Sequence, residues 1–177
     1  MDSRGSCQVH RSIYALLALL LPAIATPEVK QGAPDGALIE HRFQIAAPPA
    51  AAWQTLLHPE RWWPADHTWS GVPGNLSLAP DAGGCFCERW DGNSAEHARV
   101  VMAKPGELLR LRGSLGPLQE MAVTGVLTIT LAAKDGGTEA VVTYRLSGDP
   151  SHKLDGFIAA VDQVIGLQFA NFAKAVR

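Results

Sequence analysis

From Leu38 the chain alternates. Ile39, His41, Phe43 and Ile45 fall on one face and Glu40, Arg42 and Gln44 on the other, the period-two pattern of a half-buried strand. Pro48-Pro49 then opens a short helix carrying Trp53, Leu56 and Leu57 at helical spacing. A second short helix begins at Pro59 and is stopped by Pro64, with Trp62 and Trp63 at its end. Six more runs read as strands: Asn75 to Leu78, Cys85 to Trp90, Ala95 to Met102, Leu108 to Arg112, Met121 to Ala132 and Thr138 to Ser147. Clusters of Gly, Pro, Asp and Asn separate them. Leu154 to Val176 closes the chain as a long helix whose Leu154, Ile158, Val161, Ile165, Phe169, Phe172 and Val176 form one apolar stripe, with Asp162 and Gln168 on its edges. The expected class is α+β, with seven strands, two short helices after the first of them and a long C-terminal helix.

Parity along the strands says which face is buried. Thr124, Thr128, Thr130, Thr143 and Arg145 share strands with an opposite face of Leu127, Ile129, Leu131, Val142, Tyr144 and Leu146, so the buried face is the apolar one. A hairpin turning at Gly92-Asn93 pairs Trp90 with Ala95, Arg89 with Glu96, Glu88 with His97 and Phe86 with Arg99. In that register Arg89 and Glu96 form an outer ion pair. Phe86, Glu88, Trp90, His97, Arg99 and Val101 share the inner face, because Phe86 and Trp90 require burial.

The N-terminal segment differs from the rest. Arg4 and Arg11 precede an uncharged apolar run, Ile13 to Ile24, that ends in Ala23-Ile24-Ala25 before Thr26-Pro27. This is the pattern of a secretory signal peptide over residues 1–25, and it predicts a periplasmic or secreted protein. The run is shorter than the about 20 apolar residues that span a bilayer comfortably, and an uncleaved membrane anchor is the alternative. Residues 26–36 read as a disordered, Gly- and Pro-containing lead-in, and residues 37–177 as one domain. The full chain carries 15 basic and 17 acidic residues, and without residues 1–25 the balance stays slightly acidic. No basic run or stripe points to nucleic acid or anionic lipid.

Cys7 precedes the apolar run and carries no functional reading. Cys85 and Cys87 remain. Residues i and i+2 of a regular strand stand about 6.6 to 6.8 Å apart with poorly directed Cβ vectors, so two half-buried thiols are expected rather than a disulfide. A Cys-x-Cys pair supplies a poor half of a zinc site, and no metal is expected. No cofactor is expected either, since the chain has no dinucleotide fingerprint, phosphate-cradling loop or Gly-x-Ser-x-Gly elbow.

The stretch from Arg61 to Glu88 holds three of the five tryptophans and a histidine beside two short strand-like runs, a composition that suits a ligand pocket. One strand, two short helices, six strands and a closing helix is the element order of the helix-grip fold. Residues 37–177 resemble the START-like, or SRPBCC, superfamily, nearest to its polyketide-cyclase/dehydratase-like bacterial members. The resemblance is carried by Ala52-Trp53 with Leu56-Leu57, Arg61-Trp62-Trp63-Pro64, Gly83-Gly84-Cys85-Phe86-Cys87-Glu88, His97 with Arg99-Val100, and the C-terminal helix. It implies a strongly curved antiparallel sheet around the last helix, with a cavity between them for a small apolar or amphipathic molecule.

The expected ligand-binding residues are Trp62, Trp63, His67, Trp69, Phe86, Glu88, Trp90, His97, Arg99, Ile129, Tyr144, Asp162, Ile165 and Phe169. Glu88 across from His97, with Arg99 one pair along, is the sharpest chemical cluster. It either orients a ligand's polar head and exchanges a proton with it, or is a cross-strand pair that holds register. The functional expectation is an exported protein that binds a small hydrophobic or amphipathic molecule. The alternative is a cyclase/dehydratase- or hydrolase-type enzyme with His97 and Glu88 as acid/base groups and Arg99 polarising a carbonyl. A third class, docking of another protein on the outer sheet face, has no positive sign in its Thr and Arg positions.

Overall fold

The computed structural model describes residues 28–177, so the signal-peptide reading lies outside the described residues. The elements run β1 (Glu28–Ala33), β2 (Gly36–Ile45), α1 (Pro49–Leu56), β3 (Leu76–Leu78), β4 (Cys85–Trp90), β5 (Asn93–Lys104), β6 (Leu108–Arg112), β7 (Thr124–Lys134), β8 (Gly137–Ser147) and α2 (Ile158–Ala175). All eight strands form one curved antiparallel sheet in the order β1-β2-β8-β7-β6-β5-β4-β3, and α2 packs against β2 and β1. The architecture is an α+β helix-grip fold.

The strand count corrects the expected seven. Residues 28–33 of the supposed disordered lead-in pair with β2, and the turn after them is tied down from both sides. Gly148 N donates to Asp35 O at 3.0 Å and Leu154 N to Pro34 O at 3.0 Å. Tertiary hydrogen bonds thus order a stretch whose Gly and Pro content argues for a loop. The second short helix is reduced to a single turn at Pro59–Arg61, and α2 starts at Ile158, after a separate turn at Leu154–Gly156.

The buried faces follow the parity argument in β2, β7 and β8. Ile39, His41, Phe43 and Ile45 are buried, as are Leu127, Ile129, Leu131, Val142, Tyr144 and Leu146, and Thr128 stands directly across from Thr143 on the other face. The β4–β5 hairpin departs from it. The turn is Asp91-Gly92, both at positive φ, as a two-residue hairpin turn of the Asp-Gly kind requires, and not Gly92-Asn93. Trp90 therefore pairs with Asn93, Arg89 with Ser94 and Glu88 with Ala95. A bulge follows, because Cys87 pairs with Glu96 but Phe86 pairs with Ala98, leaving His97 as the extra residue.

The bulge reverses parity. His97, Ala98 and Val100 are buried, whereas Arg99 and Val101 point outward, so the expected places of Arg99 and Val101 on the inner face are overturned. The expected Arg89–Glu96 pair is also replaced, since Glu96 meets Arg99 instead. On the facing strand Cys85 and Cys87 stand at a Cα–Cα distance of 5.3 Å, within disulfide range, and the structure joins them. The expectation of two thiols assumed a regular strand and fails for that reason.

Tyr144 ties the β6–β7 connection to the sheet. Its hydroxyl donates to Gly113 O at 3.0 Å and accepts from Leu115 N at 3.1 Å, and Gly113 N donates to Gly125 O at 2.9 Å. A Cβ on Gly125 would press on both Gly113 O and the Tyr144 hydroxyl. Gly125→Ala is thus expected to lower unfolding free energy by about 1 to 3 kcal/mol through overpacking, read from denaturant melts. A melt like that of the unaltered protein would show that this close approach is not a constraint.

Candidate functional site

A partly open cavity of about 450 Å³ lies between the sheet and the N-terminal half of α2. Its walls come from four places: Trp63 and the Asp66–Trp69 segment, Leu115–Leu118 with Met121, His97 and Tyr144 on the sheet, and Phe157, Ala160, Val161, Val164, Ile165 and Gln168 from the helix end. Trp69 and Phe157, 47% and 46% exposed, are the most solvent-open of the aromatic walls.

Glu88 organises this region although it does not itself line the cavity. Its carboxylate is fully buried and accepts from Ser70 N at 2.6 Å, from Trp69 N at 3.0 Å and from His97 Nε2 at 3.0 Å. Burial alone would raise its pKa, but the donors from Ser70, Trp69 and His97 together outweigh burial and hold it below the usual carboxylate value. A carboxylate taking two backbone N–H groups is an acceptor, so His97 Nε2 carries the hydrogen and Nδ1 keeps its lone pair. Burial lowers the His97 pKa and outweighs the opposing effect of Glu88, so the ring is neutral at pH 7. Among the described residues nothing hydrogen-bonds to His97 Nδ1.

The structure gathers part of the expected site and disperses the rest. Trp63, His67, Trp69, His97, Tyr144 and Ile165 line the cavity. Trp62, Phe86, Ile129 and Phe169 are core residues, where Trp62 packs at a tilt against Phe169 and Phe172 with ring centroids 5.5 Å apart and Phe86 meets Trp63 at 5.1 Å. Trp90 is half-buried beside the hairpin turn, off the cavity. Arg99 lies on the outer surface, bound to Glu96 and, at 2.8 Å, to Gly83 O, which removes it as a carbonyl-polarising group. Asp162 is turned to β2, where its Oδ1 stands 2.9 Å from Nε2 of the buried His41. The Tyr144 hydroxyl is committed to backbone, leaving its ring as wall, and burial pushes its pKa up to about 12.

Sequence reasoning missed the Leu115–Leu118 segment and the aliphatic walls Ala160, Val161 and Val164. It also missed Gln168, 2% exposed, whose Oε1 has no hydrogen-bond partner. Its position at the edge of the apolar stripe was the available signal. No three His, Cys, Asp or Glu among the described residues converge as metal ligands do.

No family model and no curated protein matches the chain. Solved structures do. The Aha1 dimer from Colwellia psychrerythraea matches at 18% identity and TM-score 0.57, over 78% of this chain and 95% of that one. Ara h 8.0201 matches at 14% identity and TM-score 0.54, over 80% and 97%. DynU16, a protein in the dynemicin biosynthetic locus, matches at 16% identity and TM-score 0.55, over 77% of this chain and 46% of that one. These likenesses support the helix-grip fold and carry no function with them.

The two depressed pKa values fix a pH dependence. Below about 6.5, the ordinary histidine value, the unfolded chain takes up a proton at His97 that the folded chain resists. Below about 4.5 the same holds at Glu88. Stability is expected to fall on acidification in both windows, and His97→Phe is expected to lack the upper one. Denaturation midpoints followed from neutral to acidic pH decide this, and an identical upper limb in the variant would contradict it.

Proposed function

We propose that this is an exported protein that holds a small hydrophobic or amphipathic molecule in its internal cavity. The observation that carries the reading is the cavity of about 450 Å³, within the ordinary range of ligand pockets, walled by aliphatic and aromatic side chains with His97 at its surface. The SRPBCC-type fold supports a cavity-based role in general. Val164 from α2 supplies a half-buried part of the wall, so Val164→Trp fills the space without disturbing the core aromatics.

An environment-sensitive apolar dye is expected to bind the unaltered protein and to be displaced by amphipathic compounds. Val164→Trp is expected to abolish dye binding while changing stability by less than about 1 kcal/mol. Retained binding in that variant would place the dye elsewhere and sink the reading.

A second reading, catalysis, is favoured by the His97–Glu88 pair alone. Neutral His97 would take a proton from a bound molecule at Nδ1, with Glu88 as a positioning residue that fixes the ring and stabilises the imidazolium. An enzyme of this cyclase/dehydratase or hydrolase kind loses turnover but keeps binding in His97→Phe, whereas a binding protein has no turnover to lose.

Export rests on Arg4, Arg11 and the apolar run ending at Ala25. N-terminal sequencing of the extracytoplasmic protein is expected to begin at or near Thr26. An intact Met1 on membrane-bound material would instead make the segment an anchor.

A further inference from the structure

We infer that the bound molecule carries a hydroxyl group whose hydrogen is given to His97 Nδ1, and that the site selects it against a carboxylate. This deepens the cavity-binding reading and rests on it.

His97 spends its only ring hydrogen on Glu88, so it offers the cavity a lone pair. Thr68 donates its hydroxyl hydrogen to Ala65 O at 2.8 Å, and Tyr144 donates its own to Gly113 O at 3.0 Å. Asp66 is a carboxylate. Gln168 Oε1, although its residue belongs to the helix wall, is buried away from the open space and offers a ligand nothing. The half-buried His67 ring, the Trp69 indole N–H and the Gln168 amide NH2 are the remaining polar groups, and no Lys or Arg is among the wall residues.

The cavity therefore presents an unused acceptor at His97 Nδ1 and no lysine or arginine. A carboxylate entering it would bring more lone pairs and a charge, lose its water, and find no counter-charge. A hydroxyl brings the hydrogen that His97 Nδ1 lacks, and its oxygen keeps lone pairs for any donor nearby. An ether of the same chain fills the same apolar space but brings no hydrogen, so the difference between alcohol and ether isolates the proposed bond.

The test uses the protein without its N-terminal segment changed, loaded with the apolar dye and titrated with decanol, methyl decyl ether and decanoate at neutral pH. Decanol is expected to displace the dye about tenfold more tightly than the ether, about 1.4 kcal/mol, with decanoate weaker than decanol. His97→Phe is expected to bind decanol and the ether alike. Should that variant fail to fold, imidazole nitrogen NMR of the unaltered protein serves instead, and the His97 Nδ1 resonance is expected to move with decanol and not with the ether. An ether that matches decanol, or decanoate that binds as well as decanol, overturns the hydroxyl assignment while dye binding keeps the cavity reading. A dye that never binds takes down both.

Discussion

A carboxylate with no exposure to water is the constraint around which this molecule is arranged. Burying Glu88 as an ion costs several kcal/mol unless its oxygens are met by good donors. The chain meets them from two directions. Trp69 and Ser70 turn their backbone N–H groups down onto it from the segment above β4, and His97 reaches it from the bulge in β5. Removing the carboxylate would leave those two backbone donors without acceptors, so the segment over the cavity, the orientation of His97 and the bulge form one unit. Trp63 extends that unit, because its Nε1 donates to His67 O at 2.9 Å and fixes the turn that bears Asp66 and His67.

From Trp63 the packing continues into the body of the protein. Its ring lies against Phe86 and Trp62, and Trp62 lies against Phe169 and Phe172 of α2. Those aromatic side chains fill the space between the sheet and the C-terminal half of the helix. Beside the N-terminal half the helix presents Ala160, Val161, Val164 and Ile165, smaller than those rings, and the cavity lies against them. The large rings that a composition argument assigns to ligand contact are thus mostly used in closing the core, and the modest side chains beside them make the room.

This division explains what was legible in the sequence. Period-two alternation is a local property, and in β2, β7 and β8 it placed the inner face residue by residue because those strands run in regular register. In β4 and β5 one inserted residue broke the count. Glu88 and His97 still meet, although the register that suggested the meeting is not the one that forms: the pair reaches across the bulge from Glu88, whose strand partner is Ala95. Arg99, two residues on, was carried to the wrong face by the same insertion. The Asp91-Gly92 turn was readable as such, whereas the bulge was not, since it is settled by Glu88, Trp69 and Ser70 finding one another across some twenty residues of sequence. β1 was hidden for a similar reason, its order being supplied by partners at Gly148 and Leu154.

A second histidine–carboxylate contact shows how the opposite wall is held. His41 on β2 and Asp162 on α2 approach to 2.9 Å, and neither of the two atoms has a hydrogen-bond partner, so the contact is electrostatic rather than an aligned bond. The His41 ring lies so close to Gly166 that a Cβ there would come within 2.8 Å of it, and only a glycine lets the helix sit this near the strand. Asp162 and Gly166 stand one turn apart and turn the same side of α2 to the sheet. Ile165 and Gln168, on the adjoining side, are thereby held in the wall of the cavity. The acceptor at the cavity surface, His97 Nδ1, is likewise set from behind, by the buried Glu88 carboxylate, so the polarity of the site is built by a residue that does not line it.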